Sequence, residues 1–142
     1  MDLPKNQRLL GLDVGEKTIG LAICDPMQMV ATPLKTIERK KLANDIKQLQ
    51  AVIQEWEIAG LVIGLPIQMD GTEGPRCQSV RQFARNVQKE IEIAVFFQDE
   101  RLSTSAMERE MIAADLSRQK RDARIDKLAA AWILQIFIDK NS

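Results

Sequence analysis

The chain has 142 residues, 45% of them hydrophobic and 28% charged, and its 20 Lys and Arg balance 20 Asp and Glu. That length fits one domain, 1–142, with a core of its own; a net charge of zero excludes a global field that draws in a polyanion, so nucleic-acid contact has to come from a local basic surface. The absence of histidine excludes His-based acid–base and triad chemistry and His-containing zinc sites, and leaves carboxylates as the hard metal ligands.

Two cysteines, Cys24 and Cys77, are too few for a disulfide framework or a structural zinc site. They are expected as small buried or semi-buried thiols in a reducing cytosol. The start, MDLPKNQR, lacks the apolar core of a signal peptide, and no apolar run approaches the roughly 18 residues of a membrane span. The expected location is the cytoplasm, with no membrane partner.

In chain order, residues 9–23 read LLGLDVGEKTIGLAI: an apolar strand over 9–13 ending in Asp13, a turn over 14–17 and a second strand over 18–24. Gly11, inside the first strand, marks close approach of another backbone. Asp25-Pro26 breaks the second strand and 30–37 reads as a third, so the chain opens on an antiparallel half of a mixed sheet. From 40 to 56 the apolar Leu42, Ile46, Leu49, Ile53 and Trp56 recur at steps of four and three, the period of an amphipathic helix. The run GLVIGLP at 60–66 is a short buried strand, and a strand, helix, strand order favours a right-handed crossover with parallel pairing to an earlier strand.

A loop rich in Gly and acids at 68–75 leads to Pro75, suited to a first helical turn. The helix over 76–91 has Val80, Phe83, Ala84, Val87 and Ile91 on one face, with Arg76, Arg81, Arg85 and Lys89 elsewhere, serving solvation or contact with phosphates. Residues 93–97 form another strand, which delivers Asp99, Glu100 and Arg101 beyond its end. Ser103, Thr104 and Ser105 suit helix caps, Ser105 and Glu108 at capping-box spacing, for a helix to about Ala114. SRQKRDAR at 117–124 reads as a polar loop: either a solvated connection or a basic loop, with Arg118, Lys120 and Arg121, that closes on a phosphate backbone. The last helix, 124–138, is nearly all apolar, and Asp126 lies in line with Ala129, Ala130 and Ile133.

Phosphodiester hydrolysis without histidine needs another source of activated water and another way to stabilise the leaving oxygen. Two divalent ions about 3.5–4 Å apart do both, and Mg²⁺ takes carboxylate oxygens with waters completing its shell. Asp13, Glu100 and Asp126 come from two strand ends and a helix start, which a mixed α/β sheet can bring to one edge. Singly each acid has an ordinary explanation: a turn former before Gly15, a salt-bridge partner, and a first-turn acid favoured by the helix dipole. Together they make a candidate catalytic and metal-binding cluster. Lys17, Arg101 and Lys127 flank the acids and either hold phosphates or balance charge. Ser103 and Thr104 either bind a phosphate at a helix N-terminus or cap it.

Four segments, GLDVGEKTIGLAICDP, GLVIGLPIQMDGTEGPR, DERLST and IDKLAAAWILQ, in this order and spacing, closely resemble the YqgF family of pre-16S rRNA nucleases, also described as Holliday-junction-resolvase-like. The resemblance runs from residue 9 to about 139. It implies an α/β, ribonuclease H-like fold, a mixed five-stranded sheet flanked by helices, in a cytoplasmic bacterial protein that trims the 5′ end of pre-16S rRNA with Mg²⁺ or Mn²⁺. Carried over by motif, the metal-binding acids fall on Asp13, Glu100 and Asp126. One departure is Thr18, at a position basic in many members, which puts the phosphate contact there in question but not the acids. Such enzymes often add a fourth carboxylate, for which Asp99 and Asp25 are candidates.

Three rivals remain in the sequence. A phosphotransferase or ATPase of the actin-like superfamily also begins with an Asp-x-Gly hairpin but needs two such domains. A non-catalytic ribosome-assembly module keeps RNA binding without cleavage. A resolvase of branched DNA keeps the chemistry and presents two sites as a dimer.

Overall fold

The residues of the first strand decide how the chain is layered, because successive side chains of a strand serve opposite faces. The computed structural model describes residues 4–68, 70–99 and 118–141, the last stretch with side chains from residue 127 onward. In β1 (Arg8–Val14) Leu10, Leu12 and Val14 enter one core while Leu9 enters another. A strand apolar on both faces belongs in the middle of a sheet.

Around it stand β2 (Thr18–Cys24), β3 (Ala31–Glu38), β4 (Ile58–Leu65) and β5 (Ala94–Asp99), in the order β3-β2-β1-β4-β5. The β1–β2 and β2–β3 pairs are antiparallel, the β1–β4 and β4–β5 pairs parallel. This is the predicted mixed five-stranded sheet. The crossover from β3 to β4 runs through α1 (Leu42–Glu55), whose Ile46, Leu49 and Val52 are buried. Beside it lies α2 (Pro75–Glu90), which opens on Pro75 as expected and buries Cys77, Val80, Phe83, Ala84 and Val87. Both helices share one core with Leu10, Leu12, Leu61 and Ile63.

The other face is covered by α3 (Arg118–Lys140), through Ala130, Ala131, Ile133, Leu134, Phe137 and Ile138. Here the structure corrects the sequence, since residues 118–124 are helix and not a basic loop. RQKRDAR holds no Gly or Pro, and Arg, Gln, Lys and Ala are good helix formers, so the helix continues six residues ahead of its expected start at 124. Asp126 therefore stands well inside the helix, and no acid occupies its first turn; the helix-dipole explanation for this residue falls. A second correction is β5, which runs through Asp99 instead of stopping at Phe97. The helix expected over 105–114, with its caps Ser103, Thr104 and Ser105, lies outside the described residues.

Gly11 behaves as its position predicts. A Cβ there would lie 2.8 Å from the Ala130 carbonyl oxygen and 2.8 Å from the Leu134 Cβ, so α3 rests on the backbone of the central strand. The direction of α3 follows from its other contacts. Gln135 donates to the Met29 carbonyl and accepts from the Ala31 N–H; Ala31 pairs with Cys24, whose sulfur accepts the Leu9 N–H at 3.2 Å. Gln135 is thus level with the start of β1 and Ala130–Leu134 with its middle. The earlier turns of α3 lead toward the Asp13 end.

Both cysteines are buried and free, as expected, and burial raises the Cys24 thiol above its ordinary pKa. At the corner between β3 and α1 the buried Asp45 accepts the Lys40 N–H at 3.0 Å and the Arg39 Nε–H at 3.4 Å. Arg39 also donates to the Gly15 carbonyl at 2.7 Å and stacks 5.2 Å from the Phe83 ring centroid. Asp45→Ala strands both donors, so a loss of about 1–3 kcal/mol is expected. A urea midpoint that falls with unchanged slope checks this; an unmoved midpoint refutes it.

Candidate active site

Asp13 is the penultimate residue of β1, opposite Gly20 of β2, and half-buried. Alternation from Leu9 and Gly11 puts it on the α3 face of the sheet. Asp126 belongs to α3 one helical turn before Ala130, the residue whose carbonyl sits against Gly11. The backbones of the two predicted acids thus approach the same end of the same face, with the Asp126 side chain outside the described residues. Glu100 follows β5 directly in sequence and also lies outside them. Among the described residues no group of three or more His, Cys, Asp and Glu converges, and two of the three predicted acids fall beyond that set.

The basic residues divide in the same way. Lys17 is exposed on the turn between β1 and β2, Arg76 is exposed in the first turn of α2, and Lys127 is half-buried in α3. Arg118, Lys120 and Arg121 occupy the first turns of α3, their side chains outside the described residues, as is Arg101.

Register separates the two candidates for a fourth carboxylate. Asp25 follows Cys24 in a strand antiparallel to β1, so it stands at the opposite end of the sheet from Asp13. Its Oδ1 instead accepts the N–H groups of Met29 and Val30, at 2.8 and 2.9 Å, which closes the turn before β3. The Val30 and then the Met29 N–H hold its carboxyl below the ordinary carboxylate value. A carboxylate depressed in the fold adds stability above its unfolded pKa and loses it as pH falls through the folded one. The Met29 and Val30 amide shifts are therefore expected to titrate with a midpoint below about 3.9; a midpoint at or above that value sinks the assignment. Asp99 stands at the right end of the sheet, paired with Leu65, and so shares the face of α1 and α2, opposite to Asp13.

Sequence inspection misses Arg39 and Lys40. They line a cavity of about 500 Å³ together with Val14, Gly15, Glu16, Pro75, Arg76, Ser79 and Val80. In sequence the pair only precedes a helix. Its proximity to residues 14–16 follows from the antiparallel register that sets Thr18 opposite Glu38.

The sequence from 7 to 140 matches the family model described as RuvX, Holliday junction resolvase. A provisionally named pre-16S rRNA nuclease of Ruegeria pomeroyi is 54% identical over 138 residues, which cover 97% of this chain and 90% of that protein. A protein of the same name from Rhodospirillum centenum is 52% identical over 143 residues, covering 97% and 76%. Among solved structures, Thermus thermophilus RuvC in complex with a Holliday junction substrate aligns with a TM-score of 0.52 at 14% identity, over 96% of each chain. Fowlpox virus resolvase with its Holliday junction DNA gives 0.54 at 12%, over 95% of this chain and 99% of that one. At such identities the likeness concerns fold alone, and the fold is ribonuclease H-like, as predicted.

Proposed function

Because the chain belongs to the RuvX family, we propose that it is a metal-dependent nuclease that hydrolyses phosphodiester bonds and trims the 5′ end of pre-16S rRNA in ribosome maturation. The observation that carries this reading is a half-buried carboxylate, Asp13, at the end of the central strand, on the face where Gly11 lets α3 rest directly on the sheet. The name shared by relatives at about half identity supports the substrate.

The donor set fits a hard divalent cation. Asp13 offers oxygen ligands without a histidine or thiolate beside it, and the motif carries Glu100 and Asp126 to the same role, so these three acids would hold Mg²⁺ or Mn²⁺. When bound, such ions lower the pKa of a water and offset charge on the phosphate. Asp13 pairs with Gly20 of β2, and the preceding Leu12 pairs with Ile63 of β4, so little motion is needed to present its carboxylate. Lys17, Arg76, Arg101, Arg118, Lys120, Arg121 and Lys127 contact the phosphate backbone, which positions the strand without reading its sequence.

A second reading, resolution of branched DNA in the cytoplasm by the same acids, is favoured by the family description and by the fold shared with RuvC. Cleavage of a labelled single-stranded RNA carrying the pre-16S 5′ leader, beside a four-way DNA junction, each with Mg²⁺, Mn²⁺ or EDTA, decides between them. RNA cut at the leader and spared by EDTA is the expected result. A cut junction with intact RNA transfers the proposal to DNA. Binding of RNA with no cut on either substrate overturns it in favour of a non-catalytic assembly factor.

A further inference from the structure

The cavity between the β1–β2 turn, the end of β3 and the first turn of α2 draws cationic side chains from two distant parts of the chain. Arg39, Lys40 and Arg76 line it, against a single acid among the described residues, Glu16. Arg39 is already engaged by Asp45 and by the Gly15 carbonyl, which anchors that wall. Lys40 and Arg76 are exposed and pair with no carboxylate among the described residues; Arg76 reaches the Val14 carbonyl only at 3.5 Å, the outer limit of a hydrogen bond. The positive end of the 16-residue α2 opens on the same space, and Ser79 adds a hydroxyl. The volume is in the range of small-ligand sites.

The position of the cavity supplies the ligand. Val14 forms part of its wall and faces α1 and α2, while the preceding residue, Asp13, faces α3. The cavity and Asp13 therefore flank one strand end from opposite faces, and consecutive Cα atoms lie only about 3.8 Å apart. A chain of phosphates engaged at Asp13 reaches the cavity by crossing the turn that carries the exposed Lys17.

We infer that the cavity is a phosphate subsite, which takes one backbone phosphate of the nucleic acid about one or two nucleotides from the bond cleaved at Asp13, with Arg76 and Lys40 as its cationic ligands. The inference rests on the nucleic-acid substrate proposed above and adds the path of the strand, over the β1–β2 turn from the α3 face to the α2 face. Glu16 at the rim limits the site to a single phosphate, since its charge opposes a second.

The test reads binding and not cleavage. Inorganic phosphate titrated into the ¹⁵N-labelled full chain is expected to shift the amides of Gly15, Glu16, Lys40, Arg76 and Ser79, and the Arg76→Ala, Lys40→Ala double variant to lose those shifts. Single-stranded RNA is then bound in EDTA across a salt series. The double variant is expected to bind several-fold more weakly at low salt, with the slope of log affinity on log salt reduced by about 0.7, the decrement for one phosphate that the protein no longer neutralises. Arg85→Ala removes a similar exposed charge farther along α2, where Arg85 donates to Gln82, and is expected to keep the wild-type slope. A double variant no different from Arg85→Ala, or phosphate shifts confined to other residues, overturns the subsite. Neither arm depends on catalysis, so a protein that cleaves with an unchanged slope loses the subsite alone, and one whose slope falls as expected without any cleavage loses the nuclease reading alone.

Discussion

Asp13→Asn is expected to lower metal-dependent cleavage by about a hundred- to a thousandfold, the scale on which removing one group that stabilises developing charge acts, while the fold survives. Asparagine keeps the shape of the side chain and one of its acceptor oxygens; it loses the charge. Where three acids share a partly desolvated site, mutual repulsion destabilises the metal-free protein, so the variant in EDTA is expected to melt at or above the wild-type temperature. Mg²⁺ that binds only the folded state raises the wild-type melting point by mass action, and this rise is expected to shrink or vanish in the variant. RNA affinity in EDTA should hold or increase, because a negative charge beside the phosphates is gone. Cleavage at the wild-type rate, or an undiminished Mg²⁺-induced rise in melting temperature, would remove Asp13 from the site.

Much of the scaffold of that site is legible in the sequence. Leu9, Leu10, Leu12 and Val14 form a run too apolar for a one-sided strand, which marks β1 as central ahead of any knowledge of pairing. Gly11 signals close approach because a strand residue without a side chain has no packing reason to be there. The basic stretch over 118–124 misleads because its polarity suggests irregular backbone, whereas helix formers without Gly or Pro extend the helix whose Ala129, Ala130, Ile133 and Leu134 are buried. Asp25 and Asp99 are indistinguishable in sequence, each following an apolar strand. Only the opposite directions of β2 and β5 relative to β1 separate them. The cavity is illegible for a related reason: residues 14–16, 39–40 and 75–80 carry no shared motif, and their meeting depends on strand order.

Gly11→Val tests the link between that scaffold and the chemistry. Valine suits a strand by its own preferences, so backbone conformation gives no reason for harm and the clash is isolated. Its Cβ would fall 2.8 Å from the Ala130 carbonyl oxygen and 2.8 Å from the Leu134 Cβ. The first is backbone and the second the root of a fully buried side chain, so neither yields by a rotamer change. Either α3 moves off the sheet, opening the core formed by Leu9, Val62, Ile133 and Phe137, or β1 shifts against both paired neighbours. The expected loss is about 3 kcal/mol or more, at the upper end for overpacking, read as a lower urea midpoint. Because α3 carries Asp126 one turn before Ala130, the same displacement is expected to reduce cleavage more steeply than the unfolded fraction accounts for. Stability within about 1 kcal/mol of wild type would mean that α3 does not rest on Gly11. A large loss of stability with full activity per folded molecule would instead separate the packing of α3 from the catalytic site.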